Sequence, residues 1–191
     1  MKAYEGFKAQ RRSSKEQIPA GGYVGKIMDC SEQVYDWGSV LVISFDITDG
    51  EYKDFFRKDY QANTDENRKW RGVYRLNVPK GDGTEKDGWT KNTFEGALWA
   101  IEESNPGYHW DWNEKALKGK NIGLLFRREE WAMNGNTGWR TACGMLESVE
   151  AIRNGTFKPL KDKPLPDNKR PAAAVTPDVF VEESEDDLPW C

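Results

Sequence analysis

Cationic and aromatic side chains interleave in three parts of this sequence, and a fourth part, residues 33–38, carries two aromatic rings without a cation. The densest part is residues 68–75, with four cations and two aromatic rings in eight residues. Aromatic faces stack on nucleobases, at about 1–3 kcal/mol per base, while Lys and Arg follow the phosphates. This chemistry predicts a surface that binds nucleic acid without reading its sequence. Its candidate residues are Tyr35 and Trp37; Lys53, Phe55, Arg57, Lys58 and Tyr60; Arg68, Lys69, Trp70, Arg71, Tyr74 and Arg75; and Arg127, Arg128, Trp131, Trp139 and Arg140.

No catalytic constellation accompanies these residues. The sequence has no Walker loop, no GxSxG motif and no HxE…CxxC pattern. Its single histidine, His109, argues against a His-based triad or metal cluster. The adjacent acids Glu102–Glu103 and Glu129–Glu130 diverge in a helix or a strand, so neither pair can act as one site. We therefore expect a binding protein and not an enzyme, with no cofactor and no metal.

Cysteine usage and hydropathy indicate the compartment. The chain has three cysteines, Cys30, Cys143 and Cys191. Their number is odd, their spacing is wide and they form no CxxC pair, which suits a reducing cytosol. The N-terminus lacks the apolar stretch of a secretory signal. No apolar run approaches the roughly 18 residues of a membrane helix. We expect a cytoplasmic protein with no membrane partner.

Hydrophobic periodicity predicts the elements that position the candidate residues. Residues 40–48 alternate apolar and polar side chains, as a strand with one face in the core does. Asp49–Gly50 then favours a hairpin into a third strand, on which Lys53, Phe55 and Arg57 would share one face. A helix starting at Thr64 would carry Arg68 to Arg75. The predicted strands are 23–30, 40–48, 51–58, 121–131 and 137–152, and the predicted helices are 64–75 and 93–103.

The order of these elements predicts a mainly β fold. Three strands, an interrupted helical region and a final hairpin match a five-stranded OB-fold-like barrel with one or two helices between strands 3 and 4. Residues 33–38 and the tip of the last hairpin would then lie in the loops that bind oligonucleotides in OB-folds. An SH3-like barrel or a two-layer α+β sheet would give a similar order of elements.

Composition and charge divide the chain into three parts. We expect residues 1–20 to form a basic N-terminal arm, 21–155 the OB-fold-like nucleic-acid-binding domain, and 156–191 a disordered, proline-rich linker with an acidic interaction tail. The whole chain has a net charge of −4. Six of its acids lie in residues 172–191, so residues 1–171 carry a net charge of +2. A basic body with an acidic tail is typical of proteins that bind nucleic acid.

The last residues carry a motif of their own. Asp186 and Asp187 are followed by Leu188, Pro189 and Trp190, so a polyanion leads into a proline-stiffened apolar tip. This motif resembles the C-terminal tip of bacterial and phage single-stranded DNA-binding proteins, with Trp190 in place of phenylalanine and Cys191 after it. The resemblance implies an OB-fold protein that coats single-stranded DNA in a bacterial host cell. It also implies that the tip binds replication and recombination proteins.

Three other classes of protein use similar residues. A protein-interaction or regulatory module would use the aromatic rings as binding hot spots. A carbohydrate-binding β-module would also expose tryptophans, but it would be expected to carry a secretion signal. A nuclease would need clustered metal-binding carboxylates. The oligomeric state is left open, homo-oligomers included.

Overall fold

The computed structural model describes residues 16–169, which form one five-stranded antiparallel sheet with helices packed against it. The structure is mainly β. Its strands are β1 (Gly21–Tyr35), β2 (Gly38–Ile47), β3 (Val73–Asn77), β4 (Asn121–Met133) and β5 (Asn136–Glu147). Its helices are α1 (Phe55–Ala62), α2 (Glu85–Glu103) and α3 (Val149–Asn154), with short 3-10 turns at Glu114–Leu117 and Asp167–Lys169.

The long strand β1 organises the sheet because it pairs with two neighbours. Its first part, Gly21 to Lys26, pairs with β4, and the part from Gly25 onward pairs with β2. The two pairings overlap at Gly25 and Lys26. At Gly25 a Cβ atom would lie 2.8 Å from the Asp46 carbonyl oxygen and 2.5 Å from the Leu124 side chain. A glycine at this position therefore allows the close approach of both neighbouring strands.

The order of strands across the sheet is β3-β2-β1-β4-β5. The sheet curves so that its edge strands β3 and β5 approach each other. Within residues 16–169, however, no ladder of hydrogen bonds joins these two strands, so the sheet is not closed into a barrel. A groove lies in the opening between β3 and β5.

The core lies between the inner face of the sheet and α2. Ile43, Phe45 and Ile47 alternate along β2 and are at most 1% exposed. The predicted strand over 40–48 and its core face are therefore confirmed. The predicted helix over 93–103 is also present, and it begins earlier, at Glu85, where Thr84 caps it by accepting a hydrogen bond from the Asp87 N–H.

The predicted third strand over 51–58 is wrong. Residues 51–54 form a turn, and α1 begins at Phe55. Lys53, Phe55 and Arg57 therefore do not share a strand face. The cause is the buried carboxylate of Asp46, which accepts hydrogen bonds from the backbone N–H groups of Ile47, Phe56 and Arg57. It satisfies donors at the start of α1, so the chain turns into a helix after Asp49–Gly50.

The predicted helix over 64–75 is also wrong. Strand β3 begins at Val73, with Tyr74 and Leu76 buried and Arg75 and Asn77 exposed. This is a period of two, and the pairing of Tyr74 with Ile43 sets the register against β2. The last predicted strand, 137–152, ends at Glu147, where Ser148 caps α3.

Segments outside residues 21–155 also pack against the sheet. The Gln17 side chain accepts a hydrogen bond from the Thr141 N–H on β5. After α3, Lys163 forms a parallel bridge with Glu129 of β4, so part of the predicted linker lies against the sheet. Within the described residues, no helix is long and apolar enough to cross a membrane.

Candidate nucleic-acid interface

The groove between β3 and β5 has a volume of about 940 Å³. Its floor reaches the aromatic core at Phe45, Phe56 and Phe126. One wall is β3 with the residues before it, the opposite wall is β5 with part of β4, and the exposed N-terminal half of α2 borders the opening. It is an open cleft with an apolar floor.

The charges along this groove have one predominant sign. Among the described residues that line it, one is acidic, Glu129, and six are basic: Arg71, Arg75, Lys86, Arg127, Arg140 and Lys163. A cleft lined by one sign of charge over low-dielectric walls concentrates counter-ions of the opposite sign. The groove is therefore suited to a polyanion.

Aromatic rings stand beside these cations. Phe55, Trp70 and Tyr74 line the β3 side of the groove, and Trp89 lines the α2 side. Tyr74 is 9% exposed, and burial raises its pKa to about 12. Trp89 is 69% exposed, so its ring is accessible to a ligand.

Helix α2 contributes residues to the groove that were not among the predicted site residues. Lys86, Trp89, Thr90 and Thr93 follow the spacing i, i+3, i+4, i+7, which brings side chains to one face of a helix. The sequence contained this signal. The predicted helix over 93–103 leaves Lys86, Trp89 and Thr90 outside it, because the glycines between Pro79 and Gly88 favour a loop.

A single carboxylate links three of the groove cations. Glu129 lies 3.1 Å from Nη2 of Arg127, 3.7 Å from Nη2 of Arg140 and 3.7 Å from Nζ of Lys163. The Glu129 side chain is 16% exposed, whereas those of Arg140 and Lys163 are above 60%. Arg140 and Lys163 thus extend toward solvent from a mostly buried carboxylate.

A second, smaller cavity continues from the main groove. It measures about 260 Å³ and shares Asn77, Lys86 and Thr90 with it. Its far end is formed by Trp37, in the turn between β1 and β2. The rings of Tyr35 and Trp37 are stacked, with centroids 5.1 Å apart and planes at 7°. The hairpin predicted to carry ligand-binding aromatic rings therefore borders the same surface.

A group of predicted residues on α1 and the following loop interacts mainly within itself. Arg68 lies over the ring of Tyr60, 4.8 Å from its centroid, and Arg71 is paired with Asp59 at 2.8 Å. Of this group, only Phe55, Trp70 and Arg71 line the groove. The remaining predicted residues, Lys53, Arg57, Lys58, Tyr60, Arg68 and Lys69, lie beside it.

The last hairpin is divided between two surfaces. Arg127 and Arg140 line the groove. Strand alternation places Arg128 and Trp139 on the opposite face, where the Arg128 guanidinium lies 5.1 Å from the Trp139 ring centroid and pairs with Asp162. Trp131 packs over Gly138. The sequence predicted these residues as one cluster, and the structure brings only the two arginines into the groove.

The predicted partner-binding tip, Asp186, Asp187, Leu188, Pro189 and Trp190, lies outside the described residues. Most of the basic N-terminal arm, residues 1–15, does so as well. No protein-family model and no curated protein matches this chain.

Proposed function

We propose that this chain is a sequence-nonspecific single-stranded DNA-binding protein of phage type. It coats single-stranded DNA during replication and recombination in the cytoplasm of a bacterial host. The strand lies in the groove between β3 and β5 and continues toward Trp37. Partner proteins bind the acidic segment that ends in Leu188, Pro189 and Trp190.

The observation that carries this proposal is the composition of the groove. The described residues that line it include six cations and one carboxylate, and the exposed ring of Trp89 stands beside them. One of the six, Arg71, also pairs with Asp59 outside the groove. Cations that follow a backbone and rings that take stacked bases are the two components of sequence-tolerant binding to single strands. Stacking needs unpaired bases, because the faces of bases in a duplex are already covered.

The arrangement of the strands supports an OB-fold-like interpretation. An OB-fold is a five-stranded, partly open barrel with ligand loops between strands 1 and 2 and between strands 4 and 5. Here β1 pairs with both β2 and β4, and α2 lies between β3 and β4. We interpret the fold as such a barrel left open between β3 and β5, where the groove lies.

Titration with oligonucleotides tests the proposal. A dT oligonucleotide of about 30 nucleotides should quench the tryptophan fluorescence, and its affinity should fall steeply as salt is raised. Two controls of equal length separate the contributions. An abasic strand keeps the phosphates but loses stacking, and a duplex hides the base faces, so both should bind more weakly.

The same titration can reject the proposal. No binding to dT at low salt would rule out single-stranded DNA as the ligand. Equal affinity for dT and for the abasic strand would show that the rings do not contact bases. Aromatic rings that instead serve as protein-binding hot spots would give partner binding that salt changes little, which is the behaviour of a protein-interaction module.

A further inference from the structure

The three cations around Glu129 come from three separate parts of the chain. Arg127 belongs to β4, Arg140 belongs to β5, and Lys163 belongs to the segment that follows α3. Together with the carboxylate they leave two net positive charges at the β5 end of the groove. Three cations so close together repel one another, and the shared carboxylate reduces that repulsion.

Lys163 is held in place by its backbone. Its N–H donates to the Arg128 carbonyl and its carbonyl accepts from the Glu130 N–H, both at 2.9 Å. On either side of it, Asp162 pairs with Arg128, and the Leu165 N–H donates to the Glu130 carboxylate. Because Lys163 and Glu129 are bridge partners, their side chains emerge side by side.

Some N–H donors of Arg140 and Lys163 remain available to a ligand after these side chains pair with Glu129. Nε and Nη2 of Arg127 both donate to one oxygen of Glu129, at 3.2 and 3.1 Å. The Arg140 and Lys163 side chains are more than 60% exposed at the groove. A phosphodiester oxygen lying between these two cations would meet donors that are already oriented.

We propose that Arg127, Arg140 and Lys163 form a phosphodiester subsite, with Glu129 as the positioning residue that holds them together. The proposal rests on the function proposed above. In this proposal the segment around Lys163 forms part of the binding groove, although residues 156–191 were predicted to be a linker and tail. Lys161, in the same segment, does not line the groove and provides a matched control.

The test compares Lys163→Ala with Lys161→Ala, using the dT oligonucleotide at several salt concentrations. Both variants lose one positive charge. One phosphate contact on a single strand contributes about −0.7 to the slope of log K against log salt. Lys163→Ala should therefore bind about eightfold more weakly at 50 mM salt and about threefold more weakly at 200 mM. Lys161→Ala should bind like the wild type, and Lys163→Arg should keep the affinity.

A double-mutant cycle tests the positioning role of Glu129. In a Glu129→Gln background, Lys163→Ala should reduce the affinity by less than about twofold, since the lysine side chain no longer has a carboxylate to orient it, although its backbone stays bonded to β4. An undiminished loss in that background would overturn the role of Glu129. Equal losses in Lys163→Ala and Lys161→Ala, or a loss that does not change with salt, would overturn the subsite. Each of these outcomes would leave the proposed function unaffected. Absence of dT binding by the wild type, in contrast, would contradict the proposed function itself.

Discussion

The indole of Trp70 combines two roles in one side chain. Its Nε1–H donates to the carbonyl oxygens of Phe45 and Gly72, both at 3.1 Å, while the ring lines the groove. A buried carbonyl that loses its donor costs about 1–3 kcal/mol. Trp70→Ala should therefore lower stability as well as ligand affinity, so this variant cannot isolate a stacking role. Single aromatic residues must be tested where the ring has no structural role.

Trp89 meets that requirement, and Trp99 on the same helix is its control. Both indoles are exposed, at 69% and 55%, but only Trp89 lines the groove. Trp89→Ala should weaken binding of dT by about 1–3 kcal/mol, which is the contribution of one stacked base. Trp99→Ala should leave the affinity unchanged. Equal effects of the two substitutions in a fluorescence-anisotropy titration would show that the α2 side of the groove does not contact the strand.

Thiol reactivity tests the environment of the two cysteines within the described residues, of which Cys30 is fully buried and Cys143 is partly buried at the groove. Burial raises the pKa of Cys30 and of Cys143 to about 12, from an ordinary value of 9.0. At pH 8 each thiol is then roughly one part in ten thousand thiolate, against about one part in ten for an ordinary thiol. In a Cys191→Ser background, alkylation of the folded protein should be slow and should rise with pH without a plateau below about pH 11.

The same pKa shift has a consequence for stability. Unfolded thiols lose their protons near pH 9, whereas the folded ones keep them to about pH 12. The free energy of unfolding should therefore fall as the pH rises through this interval.

Urea-unfolded protein is the control for alkylation and should react rapidly at pH 8. Rapid alkylation of the native protein at that pH would contradict the assigned burial.

At the scale of elements, helix α1 depends on an acceptor from another element. The Asp46 carboxylate, at the end of β2, is bonded to the N–H groups of Phe56 and Arg57. Asp54, at the N-cap position of α1, makes no side-chain cap bond. The helix therefore begins where β2 places a buried carboxylate, and its own capping residue contributes little.

Two substitutions separate these contributions. Asp46→Ala should lower the free energy of unfolding by about 1–3 kcal/mol, because it leaves buried N–H groups without an acceptor. Asp54→Asn should change it by less than about 0.5 kcal/mol, since Asn tolerates the left-handed backbone found at residue 54 (φ 58°). Chemical denaturation of both variants measures the difference. A loss confined to Asp54→Asn would show that α1 is capped locally.

At the scale of the whole molecule, the packed part of the chain extends beyond α3. Residues around Lys163 are hydrogen-bonded to β4, and Leu160 lies over Gly144 of β5. The six acids of the proposed partner-binding tail, by contrast, lie beyond residue 171. A boundary near residue 170 therefore separates a segment that belongs to the groove from the segment proposed to bind partners.

Two truncations test this boundary. Removal of residues after Pro171 changes the net charge from −4 to +2, so affinity for dT should stay the same or rise, most clearly at low salt. The melting temperature should not change. Removal of residues after Gly155 also deletes Lys163 and its backbone pairing, so both stability and affinity should fall. Similar behaviour of the two truncations would show that residues 156–169 contribute nothing to the domain.

The tip itself is tested by partner capture. The full-length chain should retain replication proteins of the host, and the truncation after Pro171 should lose them. Trp190→Ala should also lose them, since Leu188, Pro189 and Trp190 provide a compact apolar anchor beside the acids. Equal recovery by all three forms would show that the segment does not recruit these proteins.

The sequence by itself determined the elements whose periodicity is local. Alternation along residues 40–48 specified β2, the Asn134–Gly135 turn specified the last hairpin, and the helical spacing of Phe94, Ala97, Leu98 and Ile101 specified the core face of α2. The interleaving of cations and rings also indicated Arg71, Arg75, Arg127 and Arg140, all of which line the groove.

Only the tertiary structure decided which of these residues share one surface. The start of α1 depends on Asp46 of β2, and the register of β3 depends on its pairing with Ile43, so neither could be predicted from neighbouring residues. The groove exists because two strand edges far apart in the sequence approach without pairing. Trp89 reaches the groove because α2 packs against the sheet, and Lys163 reaches it because its segment forms a bridge with β4. A local pattern specifies an element, whereas a site assembled from distant segments is specified by their packing.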